Sequence, residues 1–230
     1  MKNICILIPA YNPNESLITL VKSLKEKLKE CPIIVVNDGS KSDEIFEKLN
    51  KICPPDKIII HTTNLGKGEA LKNGLKYITN NYKSCNGIVT ADCDLQHSIN
   101  DIEKIANALL NSPDTICLGS RNFNKMNIPF RSYIGNKIIS IIFQIIYNIK
   151  INDTQTGLRG IPINCTQLFI DIKNSDFSFE TIMLIKAKKN NIQIKEIPIN
   201  TIYIENNKHS HFKPFTDSYK ICKSLLKDNI

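Results

Sequence analysis

Asp92-Cys93-Asp94 sets two carboxylates two positions apart, with Gln96 two residues further on. Hard oxygen donors of this kind suit Mg2+ or Mn2+. A metal held there would neutralise a diphosphate leaving group as a Lewis acid, and Gln96 would add a carbonyl oxygen. Alone, such a pair is also what a turn with helix-capping aspartates looks like. Gly66-Lys67-Gly68 lacks the spacing of a Walker A loop or a dinucleotide fingerprint. Glycines beside a lysine just ahead of a helix still let backbone and ammonium approach a phosphate; the bland alternative is a plain strand-to-helix turn. Two more polar clusters, Tyr11-Asn12 and Asn37-Asp38-Gly39, carry no chemistry by themselves.

Their placement makes them informative. Apolar runs at Ile4–Ile8, Ile33–Val36, Ile58–Ile60, Gly87–Ala91 and Thr115–Gly119 read as buried strands. Between them, apolar residues recur at helical spacing: Leu17, Leu20, Val21, Leu24 and Leu28, with Asn14 or Ser16 as N-cap; Ile45, Leu49 and Ile52; Ala70, Leu71, Leu75 and Ile78; Ile102, Ile105, Ala106 and Leu109. Strands alternating with helices imply an α/β fold with a mostly parallel sheet and right-handed crossovers. Ligands bind such sheets beyond the carboxyl ends of the strands. The four polar clusters all fall there, so they are expected to share one crevice.

After Ser120 the pattern changes. A polar loop to Arg131 precedes an apolar helix in which Lys137, Ser140, Gln144 and Asn148 form one narrow polar stripe. That helix is either buried against the sheet or rests in a membrane surface. Asp153-Thr154-Gln155-Thr156-Gly157-Leu158-Arg159 follows, then a helix near Phe179–Lys189, two strands (Ile192–Ile197 and Asn200–Ile204) broken by Pro198, a polar loop Asn206–Pro214 and a last helix Phe215–Leu226. With no repeat and no low-complexity linker, the 230 residues read as one domain with a C-terminal extension, its halves meeting near residue 120.

Composition sets bounds. A net charge of +8 points to an anionic partner. The absence of zinc-finger spacing, basic heptads and RNP-type aromatics makes nucleic acid the weakest choice. Eight cysteines without C-x-x-C spacing read as small buried hydrophobes in a reducing cytosol. No apolar run reaches the ~18 residues of a spanning helix, and the N-terminal run is too short for a signal-peptide core.

Ile8-Pro9-Ala10-Tyr11-Asn12, Val36-Asn37-Asp38-Gly39-Ser40, Asn64-x-Gly66-Lys67-Gly68-x-Ala70 and Ala91-Asp92-Cys93-Asp94-Leu95-Gln96-His97 stand in the order seen in family-two glycosyltransferases. Over its first ~120 residues the chain resembles that family, whose GT-A fold agrees with the sheet inferred above. Gly119-Ser120-Arg121, Arg131, the Asp153–Arg159 segment, Phe179-Glu180 and Ser210-His211-Phe212 resemble the dolichyl-phosphate or polyprenyl-phosphate sugar synthase branch. The resemblance implies that Pro9, Tyr11, Asn12, Glu15, Asp38, Lys67 and Asp92 bind the nucleotide sugar and that Asp94 and Gln96 hold Mg2+ or Mn2+. It also implies that Ser120, Arg121, Arg131 and Lys213 receive the lipid phosphate. Asp94, Arg121 and Arg131 would then carry the catalysis, an inverting transfer of a hexose from GDP-mannose or UDP-glucose to a polyprenyl phosphate. The enzyme would lie on the cytoplasmic face of a membrane as a peripheral protein. Many relatives carry transmembrane helices after the catalytic domain, and the Ser210-His211-Phe212 loop departs from their Ser-Lys-Leu form, so which of Lys208, His211 and Lys213 meets the leaving diphosphate stays open. An ionised phosphate acceptor needs no general base, so catalysis reduces to positioning and charge stabilisation. A hydroxyl acceptor would need one, and Glu180 or His97 are the candidates. A non-catalytic binding module and a nucleotidyltransferase are the remaining alternatives; the latter's N-terminal glycine-rich phosphate loop is absent.

Overall fold

The computed structural model describes residues 3–121 and 136–200, apart from 138, 139, 142, 146, 149 and 177. Arg131, Lys213, the Ser210-His211-Phe212 loop and the last expected helix lie outside the described residues.

Seven strands form one sheet in the order β3-β2-β1-β4-β6-β5-β7. They are β1 (Ile4–Ala10), β2 (Ile33–Asn37), β3 (Lys57–Ile60), β4 (Gly87–Thr90), β5 (Thr115–Arg121), β6 (Arg159–Pro162) and β7 (Gln193–Ile199). β6 runs antiparallel to both β4 and β5, and every other pairing is parallel. The chain order reverses at β1, which lies between β2 and β4. That is where sheets of this kind open a ligand crevice.

The unbroken apolar runs of β1, β2 and β4 follow from burial on both faces; β3, expected to be buried as well, lies at the sheet edge and leaves Lys57 and Ile60 exposed. Ile4, Ile6, Ile8 and Ala10 join the core beneath helices α1 (Ser16–Lys27), α2 (Glu44–Ile52) and α4 (Ile99–Asn111). Cys5 and Leu7 point the other way, into the core under α3 (Lys67–Asn81) and two later helices, α6 (Thr166–Ile170) and α7 (Ser178–Lys189). Six of the seven described cysteines are buried, and all seven are free thiols.

Pro9 sits inside β1, a central strand, because its missing N–H costs nothing there. Alternate residues of β1 turn to opposite neighbours: Ile6 N–H donates to Pro32 on the β2 side, while Leu7 O accepts from Ala91 on the β4 side. Pro9 faces β4 as Leu7 does, and the β1–β4 pairing has ended at Leu7 and Thr90. At the far edge, β7 runs through Pro198 opposite Ser120 instead of breaking before it. The expected break at Pro198 is therefore absent, while the second strand expected there, residues 200–204, lies outside the described residues beyond Asn200; an edge strand tolerates proline because one side of its backbone needs no partner.

The N-cap of α1 is Glu15, between the expected Asn14 and Ser16, and makes no side-chain cap bond. The Asn14 side chain accepts from Ser16 N–H at the start of α1. Ser98 caps α4, accepting from Asp101 N–H while its hydroxyl donates to the Asp101 carboxylate at 2.6 Å. The helix within residues 136–147, here α5, turns Phe143 inward against Leu118, Ile151, Leu184 and Ile185. Ile141 and Ile145 lie on its exposed side, 47% and 77% accessible. The helix is thus buried along one line and bare along another. Among the described residues no helix is long and apolar enough to cross a membrane.

Candidate active site

The loops after β1, β2 and β4 and the turn into α3 meet at one edge of the sheet, as the polar clusters require. Asn12, at φ 46°, donates its N–H to Ser40 Oγ and accepts from Lys41 N–H, latching the first two loops together. Asp38 is buried and spends both oxygens on structure. It accepts from Leu65 and Gly66 N–H at 2.9 Å each and lies 2.8 Å from His61 Nδ1. His61 Nε2 is in turn 3.0 Å from the Asn73 amide. Asp38 therefore positions the turn that delivers Lys67. Gly66 makes that turn possible: at φ +98° it is in a region that disfavours side chains, and a Cβ would strike Ser175 O at 2.4 Å.

Lys67 is the first residue of α3, and its ammonium bridges two carboxylates. Nζ lies 2.8 Å from Asp92 Oδ1 and 2.9 Å from Glu180 Oε2. Burial alone would strip the charge from Lys67, but Asp92 and Glu180 outweigh it and hold its pKa above the usual lysine range. Burial likewise works against charge on Asp92; Lys67 and His97 overcome it and keep that carboxyl well below the usual range. His97 Nε2 approaches Asp92 Oδ2 at 3.4 Å. Gly157 closes on the same carboxylate from another side, so near that a Cβ would fall 2.3 Å from Oδ2. Asp92 is thus fixed by an ammonium, an imidazole and a backbone wall.

Asp94 differs. Burial and the neighbouring Asp92 push its pKa up, and its Oδ1 accepts from Gln96 N–H at 3.1 Å. Burial, then Asp94 and Asp92, push the intervening Cys93 thiol up to about 12, so the donors offered here are oxygens. Leu95 adopts φ 61°, uncommon for a side chain with a Cβ and characteristic of functional loops. Among the described residues no three His, Cys, Asp or Glu groups converge to enclose a metal. Asp94 and the Gln96 amide fit the other pattern, in which Mg2+ takes one or two protein oxygens and completes its shell with substrate phosphate and water.

Ser120 and Arg121 end β5, on the edge where β4 delivers Asp92. The register shows this: Arg159 of β6 pairs with Thr90 on one side and Leu118 on the other. The segment 153–158 therefore lies between the Asp92 loop and Arg121. Asp153, fully buried, takes Arg121 Nε at 2.6 Å and Nη2 at 2.8 Å, fixing the plane of the guanidinium. Arg159, also fully buried, ties the layer beneath: Nε donates to Thr156 O, Nη2 to Thr154 O, and Nη1 to Glu180 O.

Of the residues expected to serve the site, Asn12, Asp38, Lys67, Asp92, Asp94 and Gln96 gather at this edge, with Pro9 buried in β1 and Tyr11 half-buried beside it. Glu15 is exposed and paired with Lys48 at 3.1 Å. The positioning roles of Asp153, Gly157 and Arg159 were not legible beforehand; the segment stood out as a motif, and nothing in its spacing says that it props Arg121 and Asp92.

The profile of glycosyl transferase family 2 matches residues 5–171. The chain belongs to this family. It is 31% identical over 223 residues to a UDP-N-acetylglucosamine–dolichyl-phosphate N-acetylglucosaminyltransferase of Methanococcus voltae, covering 89% of this chain and 87% of that one. It is 32% identical over 208 residues to the protein MJ1222 of Methanocaldococcus jannaschii, covering 88% and 82%. Glucosyl-3-phosphoglycerate synthase from Mycobacterium tuberculosis, solved with Mn2+, UDP and glucosyl-3-phosphoglycerate, aligns over 98% of this chain and 79% of its own at a TM-score of 0.68 and 14% identity. That likeness establishes the GT-A fold. This family-two member is therefore a transferase built on the expected architecture, with its polar clusters at the expected edge.

Proposed function

We propose that the enzyme transfers a hexose from a nucleotide sugar to a polyprenyl phosphate with inversion. The observation that carries this reading is Arg121: a cation at the carboxyl end of β5, its plane set by buried Asp153, on the same sheet edge as Asp92 and Asp94. An arginine so held suits an anionic acceptor, since its planar fork grips phosphate. The name of the Methanococcus voltae relative, a dolichyl-phosphate transferase, agrees.

Asp94 and Gln96 would hold Mg2+ or Mn2+, which supplies Lewis-acid stabilisation of the departing nucleoside diphosphate when bound. Lys67, anchored by Asp92 and Glu180, places positive charge beside that diphosphate. Pro9, Tyr11, Asn12, Glu15 and Asp38 shape the nucleotide end. Ser120, Arg121, Arg131 and Lys213 receive the acceptor phosphate, whose ionised oxygen attacks the anomeric carbon directly. Bare Ile141 and Ile145 and the charge of +8 support work at an anionic membrane face, the cytoplasmic one, where a lipid acceptor lies.

One observation favours a hydroxyl acceptor instead: among the described residues Glu180 Oε1 is buried without a hydrogen-bond partner, as a general base awaiting a proton would be. The acceptor comparison separates the two. With GDP-mannose, UDP-glucose and UDP-N-acetylglucosamine as labelled donors, polyprenyl phosphate is offered against the same polyprenol without phosphate and against a glycan. Label in the phosphate-bearing lipid alone supports the first reading; label in an alcohol or glycan at equal rate refutes it.

A further inference from the structure

Three buried side-chain atoms lack a hydrogen-bond partner among the described residues: His97 Nδ1, Gln155 Nε2 and Glu180 Oε1. Buried polar groups are paired in the great majority of cases, so each exception asks for an explanation. His97 already spends its other nitrogen on Asp92. Gln155 and Glu180 share a different feature. The Arg159 guanidinium binds the carbonyls of Thr154 and Thr156, the residues on either side of Gln155, and the carbonyl of Glu180. One rigid planar group thus ties the backbone on either side of Gln155 to the backbone of Glu180, and its Nε lies 3.9 Å from Glu180 Oε1, beyond hydrogen-bond reach.

That neighbourhood is part of the donor end. Glu180 is 6% exposed, and its other oxygen touches the Lys67 ammonium that also touches Asp92. Gly157, two residues after Gln155, abuts Asp92. The orphans have complementary chemistry: a carboxylate oxygen only accepts, and an amide N–H only donates. A hydroxyl both donates and accepts, and a sugar attached to a diphosphate beside Asp94 carries several within a few bonds of the phosphate. We propose that Glu180 Oε1 and Gln155 Nε2 receive one hydroxyl of the donor's sugar, and so help set which sugar this crevice accepts. The proposal rests on the nucleotide-sugar part of the reading above and is independent of the acceptor.

The test is binding of UDP-glucose, UDP-N-acetylglucosamine and GDP-mannose, with Mn2+, to the full chain, followed by the deoxy analogues of the donor that binds best. A site built around one hydroxyl rejects the analogue lacking it, so the wild type loses about tenfold or more for one deoxy position and little for the others. Gln155→Ala leaves every ion pair of the site in place, since Gln155 bonds Asp153 through its backbone N–H. In that variant, and in Glu180→Gln, the parent donor weakens while the critical deoxy donor does not weaken further. In Gln155→Ala, affinity for UDP or GDP alone stays within about threefold, which a merely structural lesion would not permit. Equal binding of all deoxy donors by the wild type overturns the proposal. So do variants that weaken parent and deoxy donors alike, the pattern expected of a base or a packing role. Failure of every nucleotide sugar to bind overturns both this and the reading beneath it. A clear deoxy pattern without label in polyprenyl phosphate supports this proposal and sinks the acceptor assignment alone.

Discussion

Gly157→Ala adds one methyl group at the point where the site has least room. Its Cβ would stand 2.3 Å from Asp92 Oδ2, 2.6 Å from Oδ1 and 2.7 Å from Cγ, where ordinary contact begins near 3.4 Å. Gly157 is not among the residues of positive φ, so the backbone itself accepts alanine. Nor can its segment retreat: Thr90 Oγ1 donates to Gly157 O at 2.8 Å, and Gly119 N–H donates to Leu158 O at 2.9 Å. The carboxylate must therefore yield, by about 1 Å, loosening its pairings with Lys67 and His97. A displacement of that size at a reacting centre costs about a hundredfold in rate, equivalent to about 2.7 kcal/mol of barrier. The overpacking costs about 1–3 kcal/mol of stability, leaving a typical domain folded at 25 °C. Steady-state transfer and urea unfolding measure the two effects. A variant with wild-type kcat/KM would refute the claim that Asp92 needs this wall.

Other perturbations follow from the same contacts. Arg121→Ala leaves the fully buried Asp153 without its bidentate partner and should cost about 3–5 kcal/mol in denaturant unfolding, unlike exposed ion pairs such as Lys48–Glu15. Ile141→Ser with Ile145→Ser should abolish sedimentation with anionic phospholipid vesicles while the unfolding midpoint holds, because both side chains are exposed. Glu69, bonded to Lys72 and Ser175, has a carboxyl held below its usual value although burial opposes this. A depressed folded pKa contributes stability above the unfolded value of about 4.3 that is lost as pH falls through the lower folded value. Glu69→Gln should therefore lower the urea midpoint at pH 7 and flatten its fall below pH 4.5; an unchanged pH dependence would contradict the assignment.

The parts of the fold that could be read ahead were those with strong periodicity. Five apolar runs separated by helical spacing already imply a parallel sheet, and polar clusters at strand ends imply a shared crevice. β6 was not legible: Arg159-Gly160-Ile161-Pro162 holds a charge, a glycine and a proline, a poor strand signal. Its pairing is imposed by the gap between β4 and β5. The proline at 198 misled in the opposite direction, since local propensity says nothing about whether a strand lies at an edge. In the site, Asp92, Asp94 and Gln96 were legible because carboxylates at close spacing are chemically conspicuous. Glu180 was visible within the Phe179-Glu180 motif and as a possible base, but its union with Lys67 joins positions 113 residues apart, a separation no local pattern encodes. Asp38 stood out within a polar cluster at a strand end, but the bonds by which its oxygens shape the turn before α3 were not legible.

The central claim is that the Asp92–Gln96 loop drives transfer from a nucleotide sugar to a lipid phosphate. The most direct measurement is a single-turnover reaction of the wild type and Asp94→Ala with labelled nucleotide sugar, polyprenyl phosphate and Mn2+, followed by organic extraction. Labelled lipid from the wild type, removed by EDTA and lost in Asp94→Ala, is the predicted result. Undiminished labelled lipid from Asp94→Ala, or none from the wild type with any donor of the panel, would contradict it.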